Sequence, residues 1–525
     1  MRLGFGRCAV LALGAMTLTL SGGRQAWAQT PQPAMPSPAR PGTPALPAPA
    51  AGNPAEPPSP PPSTEPTPPP HDLVDVSPGG ITSEQVGARA ATTSYTARSG
   101  QETLRGAAAR VDEAWAAFLP RLTGVARYTR YSDFTPPAIF GGGSGGSLVG
   151  TTDTKAPVNP NTLAPIPVSQ FTFPLVLDNY LLQATITVPI SDYFLRLTQN
   201  YSAATHSEAA ARYDLLAARA TSAADGRVTF YSWLRARGAV VVAIEALNDQ
   251  RNHLKLAQDQ FNVGQASRAD VLRAETNVAS AELQVTRSQN LADLTEKQVR
   301  IATHARDEER LSPGEKLDGP LAPLQGNLPQ LTDEALSARL EIKSIDANAA
   351  AAREQAKAAK AQAWPTVSAF GDGIYANPNP RVFPATAKWF PTWDVGAQAI
   401  WSPNDLLLAR ANVSDLDARA AALDAQKGTL RDSIQLEVVQ AWQAVREADA
   451  SLESAKRELA SAGEAYRVAK ELFNNGRATS TTLTDSETEL TRSRLDVLNA
   501  SADARTARVR LDHALGRDLS VAGAP

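Results

Sequence analysis

Histidine, cysteine and acidic side chains are the first candidates for catalysis or metal binding in a 525-residue chain. No two of the histidines stand at the spacing of metal ligands on one helix or loop, and Cys8 is the only cysteine. No nucleophile–histidine–acid set, phosphate loop or dinucleotide fingerprint occurs in a suitable context. The five histidines are His71, His206, His253, His304 and His513. We therefore predict no enzymatic activity, no cofactor and no metal site.

Two short motifs contain residue types that end one helix and begin another. Gly264 and Gly476 fit the position after a helix, where a glycine readily adopts positive φ. Ser267 and Asp270 then form Ser-x-x-Asp, a variant of the capping box that begins the next helix. Each motif therefore predicts a sharp turn between two helices.

The same two motifs belong to an internal repeat. Residues 261–276, FNVGQASRADVLRAET, return as residues 473–488, FNNGRATSTTLTDSET, 212 positions later. The same offset joins Asp192 to Asn404, far upstream of both motifs. One offset at two distant places indicates a duplicated structural unit.

Hydrophobic periodicity predicts the same plan in each copy, with two strands followed by a long helix, a turn and a returning helix. The predicted strands are 122–132, 179–190, 365–375 and 392–401. The predicted helices are 82–118, 192–262, 268–304, 332–363, 404–474 and one that follows Thr479. The domains are then repeat 1 at 80–304, an equatorial linker at 305–331, repeat 2 at 332–516 and a tail at 517–525.

The segments before residue 80 predict an exported protein. Arg2 and Arg7 precede an apolar run at 8–20, and residues 26–28 form a small-x-small cleavage site, so residues 1–28 resemble a secretory signal peptide. Residues 29–79 are rich in proline, which favours extended, unpacked conformations. We interpret them as a disordered leader, either a plain linker or a tether across the cell wall. The net charge of −3 gives no sign of nucleic-acid binding.

The last predicted strand has the pattern of a membrane-spanning β-strand. One face carries Trp393, Val395, Ala397, Ala399 and Trp401, and the other carries Asp394, Gly396 and Gln398. Aromatic residues at both ends of an apolar face are typical of transmembrane barrels, although a soluble antiparallel sheet can alternate in the same way. Four strands cannot close a barrel in lipid, so several chains would have to contribute.

With these features together, the chain resembles the TolC-like outer-membrane efflux channels over about residues 80–516. The resemblance implies an α+β membrane protein that forms a homotrimer. Three chains of four strands would make one 12-stranded β-barrel in the outer membrane, continued by a long α-helical barrel in the periplasm. It also implies two partners, a periplasmic adaptor (membrane fusion) protein and an inner-membrane pump, together with outer-membrane lipid.

The same resemblance implies roles for residues near the two turns. The adaptor would contact the turns at Val263, Gly264, Gln265, Ala266, Asn475, Gly476, Arg477 and Ala478. Asp485 falls where the family has aspartates that face the pore, and Thr482 replaces a second such aspartate. Asp270 has two interpretations, a helix cap or a contact at the pore constriction. Arg477 could pair with an acid of a neighbouring chain.

Three functions remain open at this point. The first is a passive duct for small molecules such as drugs and toxic compounds. The second is a duct for type I protein secretion, which the sequence does not separate from the first because the pump selects the cargo. The third is a soluble periplasmic coiled-coil adaptor or scaffold, which also predicts helical hairpins but not the tryptophan-bounded strands.

Overall fold

The computed structural model describes residues 79–133, 161, 176–306, 308–309, 311–383 and 385–520. The predicted signal peptide and nearly all of the proline-rich leader lie outside the described residues, as do residues 521–525. In the described part of the chain, no helix combines the length and the apolar character needed to cross a membrane.

The described elements alternate between short strands and long helices. The helices are α1 (Ser83–Thr93), α2 (Tyr95–Ala116), α3 (Thr198–Asn262), α4 (Arg268–Thr303), α5 (Leu328–Ala338), α6 (Leu340–Ala361), α7 (Asp405–Asn474) and α8 (Ser480–Ala514). The strands are β1 (Arg121–Arg130), β2 (Asp178–Val188), β3 (Thr366–Asn377) and β4 (Phe390–Ile400). A π-helical turn, Tyr193–Leu197, leads into α3, and a 3₁₀ turn, Arg517–Ser520, follows α8. The 70 residues of α7 span about 105 Å at 1.5 Å per residue.

Two predicted helices are each interrupted once, so the predictions of continuous helices at 82–118 and 332–363 were wrong. Ser94 separates α1 from α2 with an extended backbone (ψ 141°), and its hydroxyl caps α2 by accepting from the Ala97 amide. Arg339 separates α5 from α6 with ψ 125°. The second segment also begins earlier than predicted, because Asn327 and not Thr332 caps α5. Each break also lies at a contact with another helix, since Ser94 contacts Ser222 of α3 at 3.0 Å and Arg339 donates to Glu437 of α7 at 3.2 Å.

The elements before each β-hairpin recur with a larger offset than those after it. Helices α1 and α5 each have 11 residues, α2 and α6 each have 22, and every one of these starts 245 positions after its counterpart, as Leu328 does after Ser83. Strand β3 also begins 245 positions after β1, whereas β4 begins 212 positions after β2. The change of offset therefore falls in the connection between the paired strands, which is the longer one in the first half.

The four strands form one antiparallel sheet in the order β1-β2-β3-β4. Its register places small and apolar residues together on one face, in the rows Leu122–Ile186–Gly371–Val395 and Ala126–Leu182–Tyr375–Pro391. This face is open, since Trp393 is 77% exposed and Val395 is 74% exposed. The other face carries Gln183, Thr185 and Asp372, which are joined by hydrogen bonds. The sheet is therefore amphipathic, with its larger apolar side chains unburied.

The helices form one layer whose order changes along its length. Near the strands the main neighbours run α2–α3–α6–α7, and farther away they run α4–α3–α8–α7. Segment 311–327 packs on the middle of this layer, where Arg505 donates to the carbonyls of Leu317 and Gly319 at 3.1 and 3.0 Å. Helix α7 forms one side of the layer, and α2 and α4 form the other.

Candidate functional site

The two helix-to-helix turns have the same backbone geometry. Gly264 (φ 73°) and Gly476 (φ 68°) each occupy the left-handed region. The Gly264 amide donates to the Phe261 carbonyl at 3.0 Å, and the Gly476 amide donates to the Phe473 carbonyl at 3.0 Å. The amide after each glycine donates to the residue before that phenylalanine at 2.8 Å, which completes a Schellman-type helix end. A Cβ at either position would meet no atom within 4 Å, so lack of space does not explain the glycines. The positive φ angle is the reason that glycine is favoured there.

The caps that follow the turns differ in charge. The Ser267 hydroxyl accepts from the Asp270 amide at 3.2 Å, and the Asp270 carboxylate accepts from the Ser267 hydroxyl and amide at 2.6 and 3.1 Å. These hydrogen bonds to Ser267 lower the pKa of Asp270. At the other turn, the Thr479 hydroxyl accepts from the Thr482 amide at 3.2 Å. Asp270 therefore caps α4, and its role at a pore constriction stays a prediction.

The phenylalanine of each turn has different surroundings. Phe473 is 5% exposed and packs in a cluster with Ala469 and Leu483, and its ring lies 5.7 Å from the ring of His253 on α3. Phe261 is 40% exposed. Equivalent residues of the repeat are thus buried in the second turn and open in the first.

A buried polar pair joins the two hairpins close to the second turn. His253 on α3 and Glu487 on α8 have side chains only 2% and 3% exposed, and Nδ1 lies 3.1 Å from the Glu487 carboxylate. The other ring nitrogen lies 3.1 Å from the Ser480 hydroxyl. Gln250 donates to the same carboxylate oxygen at 3.0 Å. Both ring nitrogens of His253 and the Glu487 carboxylate therefore have hydrogen-bonding partners, as buried polar groups require.

Charged contacts continue along the seam between α3 and α8. Arg494 lies 3.4 Å from Glu245 and 3.5 Å from Asp249. Arg235 and Asp503 are 3.2 Å apart, nearer the middle of the layer. Burial raises the pKa of Asp249, and the positive charge of Arg494 partly offsets that rise. The seam thus holds a series of polar pairs beside apolar contacts such as that of Leu498 with Gly238.

Contacts within each hairpin are mostly apolar, beside an ion pair in each, Arg251–Glu282 and Arg508–Asp449. Between α3 and α4 the cluster includes Leu247, Leu254, Val271 and Val278. Between α7 and α8, Leu452 packs with alanines of both helices. Apolar burial holds helices together in water without a partner-specific geometry. The α3–α8 seam near the turns is therefore richer in polar pairs than the interior of either hairpin.

The sequence-predicted site residues lie near this seam but not in it. Asp485 and Thr482 are exposed on the same side of α8, three residues apart, while Leu483 and Glu487 face inward. The predicted adaptor-contact residues lie at the two turns, and six of the eight are exposed, Val263 to 69%, whereas Ala266 and Ala478 are half-buried. The residues that sequence analysis missed are His253 and Glu487, which are 234 positions apart. No local pattern links them.

Comparison with known proteins places these features in a family. Residues 98–303 and 331–517 match the family model described as outer membrane efflux protein. A search of curated proteins found no match. Among solved structures, the outer-membrane channel OprN has 20% identity and a TM-score of 0.65 over 83% of this chain and 89% of its own. The outer membrane protein VceC of Vibrio cholerae has 16% identity and a TM-score of 0.64 over 83% and 96%. The open-state outer-membrane channel MtrE of Neisseria gonorrhoeae has 16% identity and a TM-score of 0.61 over 83% and 88%.

Proposed function

The chain belongs to the outer membrane efflux protein family, and on this premise we propose that it is the outer-membrane duct of a three-part export system. An inner-membrane pump supplies the energy, a periplasmic adaptor connects pump and duct, and this chain conducts the substrate passively. The observation that carries the proposal is the amphipathic sheet, whose larger apolar side chains are unburied and whose two outer strands each have a free edge.

The free edges support closure into a ring of several copies. Strand β4 runs antiparallel to β1 because the sheet has an even number of antiparallel strands, so β4 can pair with β1 of a second copy in the same antiparallel manner. Beneath them, α7 of one copy would meet α2 and α4 of the next. The two edges use different elements, so the contact is heterologous, the kind that forms a ring when the rotation between copies closes. We propose three copies and a 12-stranded barrel.

The apolar face of the sheet supports insertion in lipid. Tyr128, Tyr180 and Tyr375 lie side by side near one end of it, and the rings of Tyr180 and Tyr375 both contact Trp389. Trp401 follows β4 at the opposite end. Aromatic residues at both borders of an apolar band are typical of membrane barrels. The helices would then extend into the periplasm.

The polar seam supports a gate at the periplasmic end of the helices. Opening would separate the α7–α8 hairpin from α3 by exchanging His253–Glu487 and the Arg494 contacts for water, while each apolar hairpin stays intact. Asp485 and Thr482 would line the constriction, with one carboxylate from each copy forming a ring that favours cations. Asp270 would lie near it while capping α4.

The exposed turns support contact with the adaptor. Their glycines place short, stiff loops at the ends of both hairpins, where Val263 and Arg477 are open to a partner. Binding of the adaptor at the turns would act directly on the closed arrangement of the seam, because Phe473 joins the second turn to His253. For the cargo we propose small toxic molecules, and secretion of a protein remains the alternative because the pump selects what enters.

Single-channel recording in planar bilayers tests this function. The protein extracted from the outer-membrane fraction should have the mass of about three chains and should conduct ions. Asp485→Ala should raise conductance or reduce cation preference, because it removes a ring of charge from the constriction. Asp333→Ala, an exposed acid on α5, is the matched control and should change neither property.

Two results would count against the proposal. A water-soluble monomer or dimer without conductance would exclude the duct. A conducting trimer in which Asp485→Ala behaves as Asp333→Ala does would remove Asp485 from the constriction and leave the duct intact.

A further inference from the structure

A largely apolar groove of about 820 Å³ lies where the sheet joins the helices. Its walls are the end of α6, the start of α7 and the residues that enter and leave the strands. Trp364, Pro365, Trp401 and Leu406 form the apolar part. Both tryptophans are largely open, at 61% and 60% exposure, although Trp401 donates from its indole nitrogen to the Ala363 carbonyl at 3.3 Å. Large aromatic surface is thus left uncovered.

The groove continues the apolar face of the sheet. Trp401 falls in phase with Trp393 and Val395, which point to the open apolar side of β4. The groove therefore opens toward the side that faces lipid in the proposed function, on which this inference rests. The groove lies at the border between the strands and the helices. In the membrane this border would be at the level of the lipid headgroups of the periplasmic leaflet.

Two cations stand at the helical end of the groove. Lys360 and Arg410 are both exposed and line it. Among the described contacts, neither side chain takes part in an ion pair or hydrogen bond. One carboxylate, Asp417, also lines the groove, two helical turns beyond Arg410. The charge at this end is therefore net positive.

We propose that this groove binds the headgroup of an anionic phospholipid of the periplasmic leaflet. Lys360 and Arg410 would hold the phosphate, since their long side chains can bring charge to the edge of an apolar surface. Trp364 and Trp401 would cover the glycerol and the first carbons of the acyl chains, where amphipathic rings prefer to lie. Charge complementarity and continuity with the apolar sheet face favour lipid over a second protein copy.

Native mass spectrometry of the detergent-solubilised full-length protein tests the site. The delipidated protein is titrated with phosphatidylglycerol and with phosphatidylcholine. The wild type should retain phosphatidylglycerol more tightly, and Lys360→Gln with Arg410→Gln should weaken that binding roughly thirty-fold, the size expected for two basic side chains near lipid. Lys456→Gln with Arg457→Gln makes the same charge change on an exposed part of α7 and should leave binding unchanged.

Several outcomes would overturn the proposal. They are equal retention of both lipids, equal loss in the two double variants, or competition by inorganic phosphate at the same concentration as lipid. Protection of a Ser414→Cys thiol from labelling in the lipid-free trimer would show that a second copy covers the groove. Conductance measured on the same preparation distinguishes failure of the lipid site from failure of the duct. A protein that conducts ions but shows no lipid preference contradicts only the lipid site.

Discussion

The turn after α3 and the turn after α7 share a backbone but not their surroundings. Both have a positive-φ glycine and the same hydrogen bonds to the preceding helix. Phe473 is nevertheless buried against α3, whereas its counterpart Phe261 is 40% exposed. Local sequence therefore repeats the shape of a turn, and side chains contributed by another hairpin make the two turns different.

The polar seam shows the same asymmetry. Glu487 pairs with His253 inside the chain, and the 212-residue offset places Glu275 at the position equivalent to Glu487 and Ala465 at the position equivalent to His253. In the proposed ring, α4 of one copy would face α7 of the next. The seam within a chain would then have a histidine–glutamate link that the seam between chains lacks.

Phe473→Ala should cause the largest effect. Removing a buried phenylalanine typically costs about 3–5 kcal/mol, so the second turn should lose protection from hydrogen exchange across residues 466–490. Phe261→Ala should leave protection of the first turn nearly unchanged but lower the fraction of trimer on a native gel, if its ring packs on a neighbour. Equal loss of protection in both variants would erase the distinction between the turns.

Glu487→Ala should have a smaller effect, centred on the seam. It leaves His253 and Gln250 without their buried acceptor, which costs about 1–3 kcal/mol, and this cost falls on the closed arrangement. Open probability in planar bilayers should rise by roughly ten-fold, since 1.4 kcal/mol corresponds to a factor of about ten. Glu275→Ala is the matched control, because Glu275 holds the equivalent position on α4 but Ala465 replaces the histidine, and it should change the open probability little. A similar rise in both variants would remove the special role of the pair.

Lowering the pH should produce the smallest difference between the two turns. The pKa of Asp270 is lowered in the folded chain, so its stabilising contribution is full above the unfolded pKa and is lost as pH falls through the lower, folded value. The contribution is about 1 kcal/mol, as for other caps. A spin label at Gln265→Cys should gain mobility at pH values below about 4, and a label at Arg477→Cys should not, because Thr482 has no charge to lose. Asp270→Asn should abolish the step, and a step that persists in that variant would assign it to another group.

The parts of the fold that local chemistry sets could be predicted from the sequence. The end of α7 at Asn474 and the caps at Ser267 and Thr479 agree with the structure, because glycine, serine and threonine act within one helical turn. The breaks at Ser94 and Arg339 could not, since Arg339 is held by Glu437 and by carbonyls at the end of α8. His253 and Glu487 were missed for the same reason, as their pairing exists only after three helices have packed.

The polar character of the α3–α8 seam has a thermodynamic consequence. Heat-capacity change follows the apolar surface that a transition exposes, and polar exposure changes it in the opposite direction. Separation of the hairpins near the turns would uncover the ion pairs and hydrogen-bonding groups of the seam together with apolar side chains such as Phe473 and Leu483. The two kinds of surface change heat capacity in opposite directions, so their contributions to opening would partly cancel, and the logarithm of the equilibrium constant for opening would vary almost linearly with inverse temperature. A gate of this kind would keep a similar ratio of closed to open forms at low and high temperature, unlike a gate that is closed by an apolar interface.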